Sequence, residues 1–156
     1  MKWHKALGIP QELLRFHDHI KLAHYADAAS DIEFKFPFGF KELEGIHSRT
    51  DFDLKQHEDF SKKKLRYFDP EKNESYVPYV IETSIGLDRM FLALLAYCLK
   101  EEILEDGTSR TVLSLPYSLA PNKASVLPLV KKDGLAEKAK EIFNLIKIHH
   151  NCIYDE

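Results

Sequence analysis

The run Val80-Ile81-Glu82-Thr83-Ser84-Ile85-Gly86-Leu87-Asp88-Arg89, continuing into Met90-Phe91-Leu92-Ala93-Leu94-Leu95, limits the fold of this chain more than any other feature. A β-branched stretch passes through charged residues into a helix whose apolar surface must be covered. Glu82 and Ser84, two residues apart on a strand, share one face. Ser84 suits an N-cap, and Gly86 lets a ligand approach the backbone. The first turn of the following helix offers unpaired N–H groups and a positive dipole end to an anion. Arg89 sits where that dipole disfavours a cation by roughly 0.3–1 kcal/mol, only partly offset by Asp88, so a facing phosphate is the expected compensation. A capped core helix with an exposed ion pair is the alternative that the same residues allow.

Around this junction the pattern alternates between helix and strand. Pro10 at a first helical position, then Leu13, Phe16, Ile20 and Ala23 at three- and four-residue steps, predict an amphipathic helix of about five turns ending near Ser30. Ile32, Phe34 and Phe36 alternate with Glu33 and Lys35, which predicts a half-buried strand, a turn at Pro37-Phe38-Gly39 and a second strand over 40–46. Gly45 marks a point of close approach for a ligand. A surface helix is expected within 51–64, a turn at 69–74, a strand over 76–81, and a helix over 85–105. That last helix is apolar almost all round between Met90 and Leu99, hence central, and Asp106-Gly107 would close it. Beyond Pro116 and Pro121, a strand over 124–130, a helix over 135–146 and a strand over 150–154 form a βαβ order. Such an order requires a parallel pair with a right-handed crossover, and a new α/β domain from about residue 118.

Apolar residues at 44% and charged residues at 30% describe a soluble globular chain rather than a disordered one. The net charge of −3 argues against a general nucleic-acid binder, which leaves Lys62-Lys63-Lys64 and Lys131-Lys132 as local RNA contacts or merely solvated faces. No apolar run approaches the roughly 18–20 residues that cross a bilayer. Met1-Lys2-Trp3-His4-Lys5 precedes no apolar secretory segment, so a cytoplasmic location is expected. Cys98 and Cys152 read as reduced core residues. His17, His19 and His24 in one expected helix, and the adjacent His149-His150, lack metal-binding spacing, and structural or surface roles are expected for them.

The order Glu-x-Ser-x-Gly-x-Asp-Arg before an apolar helix resembles motif 3 of the class II aminoacyl-tRNA synthetases. Three more blocks narrow the resemblance to the single-chain, dimeric glycyl-tRNA synthetases. One is Leu14-Arg15-Phe16-His17-Asp18-His19 with Ala23-His24-Tyr25-Ala26 and Asp31-Ile32-Glu33-Phe34. Another is Glu42-Leu43-Glu44-Gly45-Ile46 with Arg49-Thr50-Asp51-Phe52-Asp53-Leu54. The last is Leu119-Ala120-Pro121 with Lys123-Ala124-Ser125-Val126-Leu127-Pro128-Leu129.

The resemblance implies an α/β fold of the α+β kind. Residues 1–117 would be the C-terminal portion of an antiparallel-sheet catalytic domain, and 118–156 the start of a truncated anticodon-binding domain. The family's motifs 1 and 2 would lie upstream of Met1, so the isolated chain is expected to be inactive and to expose apolar surface. The implied reaction activates glycine with ATP to glycyl-adenylate and passes the glycyl group to tRNA(Gly). A homodimer and Mg²⁺ are implied in the complete enzyme, and no membrane.

Glu82, Thr83, Ser84, Ile85 and Gly86 would line the glycine pocket, with Arg49 in the same substrate shell. Arg89 would meet the ATP tail, surrounded by Gly86, Leu87 and Asp88. Glu42, with Leu43, would meet ATP and Mg²⁺, which makes Arg89 and Glu42 the implied catalytic pair. Thr83 stands where many members have proline, a departure that removes no functional group. A threonyl- or prolyl-type relative, and a non-catalytic module binding RNA or a protein, are the competing readings.

Overall fold

The structure, a computed structural model, describes residues 1–155; the last position of the expected second domain, Glu156, lies outside them. The chain divides into two units, one ending at Leu113 and one beginning at Ser114. Both helices and strands are present, and the main sheet is antiparallel.

The first unit is built on strands β1 (Leu14–Asp18), β2 (Ala28–Phe36), β3 (Gly39–Ser48) and β6 (Ile81–Ile85), in the spatial order β1-β2-β3-β6. The alternation over 32–36 becomes β2 as expected. Ile32, Phe34 and Phe36 are buried, while Lys35 is exposed and Glu33 half-buried on the opposite face. They pack with Ile9, Leu14, Leu43, Met90 and Ala93 into one core. Pairing of β2 with β3 slips between Ile32 and Glu33, so that Ile32 faces Glu44 but Glu33 faces Glu42. The extra residue, Leu43, turns into the core with only 2% of its surface exposed.

The helix expected from Pro10 to Ser30 does not form. A 3-10 turn at Gln11–Leu13 leads straight into β1, which pairs Leu14 with Phe34 and Asp18 with Ser30. The apolar steps were coincidental, since Ile20 is fully exposed and Leu14, outside the helical series, is the buried residue. As a strand, the segment buries Leu14, pairs its backbone along five residues, and sets Arg15 Nε 2.5 Å from Glu33 Oε2. A helix would have left the edge of β2 unpaired.

The helix expected over 85–105 ends early. Here α3 spans Leu87–Cys98 and is capped by Gly86 rather than Ser84, which belongs to β6. Strands β7 (Leu99–Ile103) and β8 (Ser109–Leu113) then form a hairpin. Asp106-Gly107 is its turn and not a helix stop. Gly107 has φ +82°, and the Asp106 carboxylate accepts from the Thr108 amide and hydroxyl at 2.9 and 2.6 Å. Nor is α3 central: it buries Met90, Ala93 and Cys98, while Leu87 and Phe91 are 81% and 61% exposed. The strand expected over 76–81 begins only at Ile81, although Arg49 N and Val80 O extend the contact with the β3 side at 2.9 Å.

Helix α2 (Phe52–Ser61) lies where a surface helix was expected, and β4 (Tyr67–Asp69) and β5 (Glu74–Tyr76) make the hairpin around the expected turn. In the second unit, β9 (Ala124–Val126) and β10 (Cys152–Tyr154) pair in parallel across α4 (Leu135–Ile146). The order matches the expected βαβ unit, with both strands shorter than the sequence suggested. Cys98 and Cys152 are free thiols. Among the described residues no helix is long and apolar enough to cross a membrane.

The N-terminal helix α1 (Lys2–Ala6) buries His4, with its Nε2 3.2 Å from Glu44 Oε2. Burial pushes this imidazole below its ordinary value of 6.5, although the Glu44 carboxylate pulls the other way. The unfolded chain therefore takes up the proton first as pH falls. The neutral ring's contribution is complete above pH 6.5 and is lost as pH drops from there toward the lowered value. Urea melts at pH 7.5 and 5.5 should show the midpoint falling with pH, and His4→Gln should flatten that slope.

Candidate functional site

The sheet has one apolar face, covered by α3, and one polar face. Register assigns the polar side: Glu33 opposes Glu42, Asp31 opposes Gly45, Gly45 opposes Ser84, and His47 opposes Glu82. Two clusters of charge sit on or beside it.

The first surrounds Arg49, just past the end of β3. Its Nη1 donates to Glu82 Oε2 at 2.6 Å, while Nε and Nη2 donate to the two carboxylate oxygens of Asp53 at 2.5 and 2.9 Å. Its guanidinium carbon lies 4.0 Å above the centre of the Tyr25 ring. The Asp53 hydrogen bonds, supported by Glu82, hold the Arg49 proton more firmly than in a free side chain. The same guanidinium holds the Asp53 carboxyl below its ordinary value. The cluster is therefore one fixed cation held between two acidic side chains. Arg49 is only 22% exposed and Glu82 34%, so the pair is half-desolvated and open on one side.

The second cluster joins the start of α3 to β3. Arg89 Nη1 donates to the Glu42 carbonyl oxygen at 2.9 Å and lies 3.5 Å from the Glu42 carboxylate. Glu42 and Glu33 directly oppose each other, an unfavourable like-charge pair. Arg89 on one side and Arg15 on the other supply the compensation. A hollow of about 510 Å³ opens beside Arg89, lined by Phe36, Phe38, Lys41, Glu42 and Leu92. Phe36 and Phe38 stack with centroids 5.0 Å apart and planes 5° from parallel.

The residues singled out in the sequence separate by strand alternation. Glu82 and Ser84 do share one face, the one that carries Gly45 and His47. The side chains of Thr83 and Ile85 leave on the other face, so toward a ligand on the polar side these two can offer backbone only. Leu43 is in the core and can likewise contribute only backbone. Gly86, Leu87 and Asp88 form the cap and first turn of α3 beside Arg89.

Gly45 is approached by a neighbouring ring: a Cβ there would stand 3.0 Å from His47 Cε1. His17 and His19 are on and just past β1 rather than in a helix, and His19 Nε2 meets Asp31 Oδ2 at 2.8 Å. His24 lies edge-on to Tyr25 and Phe52. Lys62, Lys63 and Lys64 border an open hollow that also holds Glu58 and Asp59, so both signs of charge face it.

Sequence reasoning missed Asp53, Tyr25 and Asp31. The four-residue spacing of Arg49 and Asp53 was a readable signal for an ion pair. Tyr25 gave none, because its segment reads as part of a helix that does not form, and Asp31 stands at the boundary between that expected helix and the strand pattern that starts at Ile32.

No protein-family model matches the chain. Curated glycine–tRNA ligases do, along nearly all of it. The protein of Chlorobaculum tepidum is 53% identical over 156 residues, 99% of this chain and 33% of that protein. That of Geobacillus thermodenitrificans is 50% identical over 157 residues, again 99% of the chain and 33% of the relative. That of Clostridium acetobutylicum is 52% identical over 152 residues, 96% of the chain and 32% of the relative. The chain thus spans about a third of the length of the curated relatives it matches.

Proposed function

We propose that this chain belongs to the glycyl-tRNA synthetases and supplies the glycine- and ATP-facing wall of a glycine–tRNA ligase, built from β3, β6 and the start of α3. The observation that carries the reading is geometric. Glu42 and Glu82, the carboxylates that meet Arg89 and Arg49, stand on the neighbouring strands β3 and β6, with Gly45 opposite Ser84 between them. Identity near 50% with glycine–tRNA ligases over nearly the whole chain supports it.

In this reading Glu82 accepts the substrate ammonium, and Arg49 fixes the orientation of that carboxylate. Ser84, two residues along the same face, stands near the substrate Cα and excludes larger amino acids. Glycine offers no side chain to hold, so selection must work by refusing the others. Arg89 sheds its contact with Glu42 to neutralise the ATP tail. Activation then rests on placing the glycine carboxylate against the α-phosphate and on stabilising the charge that develops there.

Glu42, 53% exposed, fits Mg²⁺, which binds through one or two carboxylates and takes its other oxygens from phosphates and water. Among the described residues no group of three or more His, Cys, Asp or Glu is arranged to hold a metal, so phosphates would have to complete the site. Bound there, Mg²⁺ would supply charge neutralisation on the phosphates. The acceptor is tRNA(Gly), the complete enzyme is a cytoplasmic homodimer, and residues from about 118 open its anticodon-binding domain.

The test is amino-acid-dependent ATP–pyrophosphate exchange by a full-length protein containing these residues, run with each of the twenty amino acids in turn. Exchange with glycine alone is the expected result. Exchange with another amino acid would keep the class and change the substrate, and none at all would favour a binding module.

A further inference from the structure

We infer that Asp53 and Tyr25 are positioning residues for the amino-acid pocket, holding Arg49 so that it presents Glu82 to the substrate ammonium; this rests on the function proposed above. Neither residue lies on β3 or β6. Asp53 comes from the first turn of α2 and Tyr25 from the connection between β1 and β2.

Each constrains Arg49 differently. Asp53 takes the Nε–Nη2 edge with both oxygens, which fixes the plane and rotation of the guanidinium. Tyr25 covers one face at 4.0 Å and blocks the cation from swinging to that side. What remains is Nη1, which holds Glu82 at 2.6 Å. Phe52 and His24 brace Tyr25 in turn, with ring centroids 6.2 and 5.3 Å away.

Charge gives the arrangement a second consequence. With Asp53 ionised, Arg49 is already neutralised, and Glu82 keeps negative charge to offer a substrate. With Asp53 made neutral, the cation has Glu82 as its single anionic partner and competes with the ammonium for it. A substrate without a side chain gains nothing elsewhere to compensate. The effect should therefore fall on glycine and spare ATP.

The experiment compares wild type, Asp53→Asn, Asp53→Glu and Tyr25→Leu in the full-length protein, with two readouts. The first is exchange kinetics, where Asp53→Asn should raise the glycine KM by about ten-fold or more and move the ATP KM by less than about two-fold. Asp53→Glu, which keeps the charge, should recover part of the loss. The second is modification of Arg49 by phenylglyoxal, located by mass spectrometry, which should be several-fold faster in Asp53→Asn and Tyr25→Leu than in wild type. Unchanged glycine KM and unchanged modification in both variants would overturn the inference, as would equal rises in both KM values with a falling melting temperature. If Asp53→Asn does not fold, Tyr25→Leu decides by the same criteria. A wild-type protein inactive with glycine would defeat the proposed function instead, and the modification rates would still show whether Asp53 and Tyr25 hold Arg49.

Discussion

In the full-length enzyme proposed above, replacing Arg89 by alanine is expected to lower glycine-dependent exchange by about a hundred-fold or more, roughly 2.7 kcal/mol of transition-state stabilisation, in the range seen when one donor to developing charge is removed. The fold should survive. Arg89 and Glu42 are each about half exposed, and their ion pair at 3.5 Å is of the exposed kind that contributes at most about 1 kcal/mol. A large loss of rate with an unchanged urea midpoint therefore separates a phosphate-facing cation from a helix-to-strand tether. Glu82→Ala in the same protein gives the internal contrast. Its loss should appear mainly as a raised glycine KM, while that of Arg89→Ala should appear in kcat and in ATP binding. Near-wild-type exchange in both variants would remove the proposed site.

Phe34→Ala should cost about 3–5 kcal/mol, a large part of the 5–15 kcal/mol that holds a typical domain. Phe34 is 1% exposed and meets the Phe36 ring edge-on at 4.8 Å, in the core that joins β1, β2, β3 and α3. Removing it opens a cavity in the core that the sheet shares with α3. Urea denaturation followed by circular dichroism should show the midpoint collapse or the variant fail to accumulate. Phe38→Ala, with the same chemistry but 64% exposed, should change stability by less than about 1 kcal/mol. Equal costs at the two positions would mean that the core is not where the structure places it.

Why some elements were legible and others not is clear from particular residues. Strand β2 was readable because one face is buried and the other polar, which writes a period of two into Ile32, Phe34 and Phe36. Helix α4 was readable over 135–146 because it has one apolar stripe and stands between two strands that it must connect. The segment 14–18 was misread because Phe16 is an exposed apolar residue beside polar Arg15, His17 and Asp18, and it supplied a false helical step. Residues 99–103 were misread because Leu99 and Ile103 are four apart, a spacing that suits a helix as well as the ends of a short strand. Only pairing with 109–113 chooses between them.

The site divides in the same way. Glu82, Ser84, Gly86 and Arg89 could be named from their local pattern and from the resemblance it carries, because a strand-to-helix junction is contiguous in sequence, whereas Glu42 came only with the resemblance of a separate block. That local order determined which chemistry is available: a carboxylate and a hydroxyl on one face, and a cation against the helix dipole. Tertiary structure decided what those groups meet. Arg49 reaches Glu82 across 33 positions and Tyr25 from another segment, and Arg89 reaches Glu42 across 47, contacts set by strand register and by the bulge at Leu43. Register is a property of paired strands, and a one-residue slip would turn Glu82 and Ser84 to the opposite face, so no reading of either strand alone contains it.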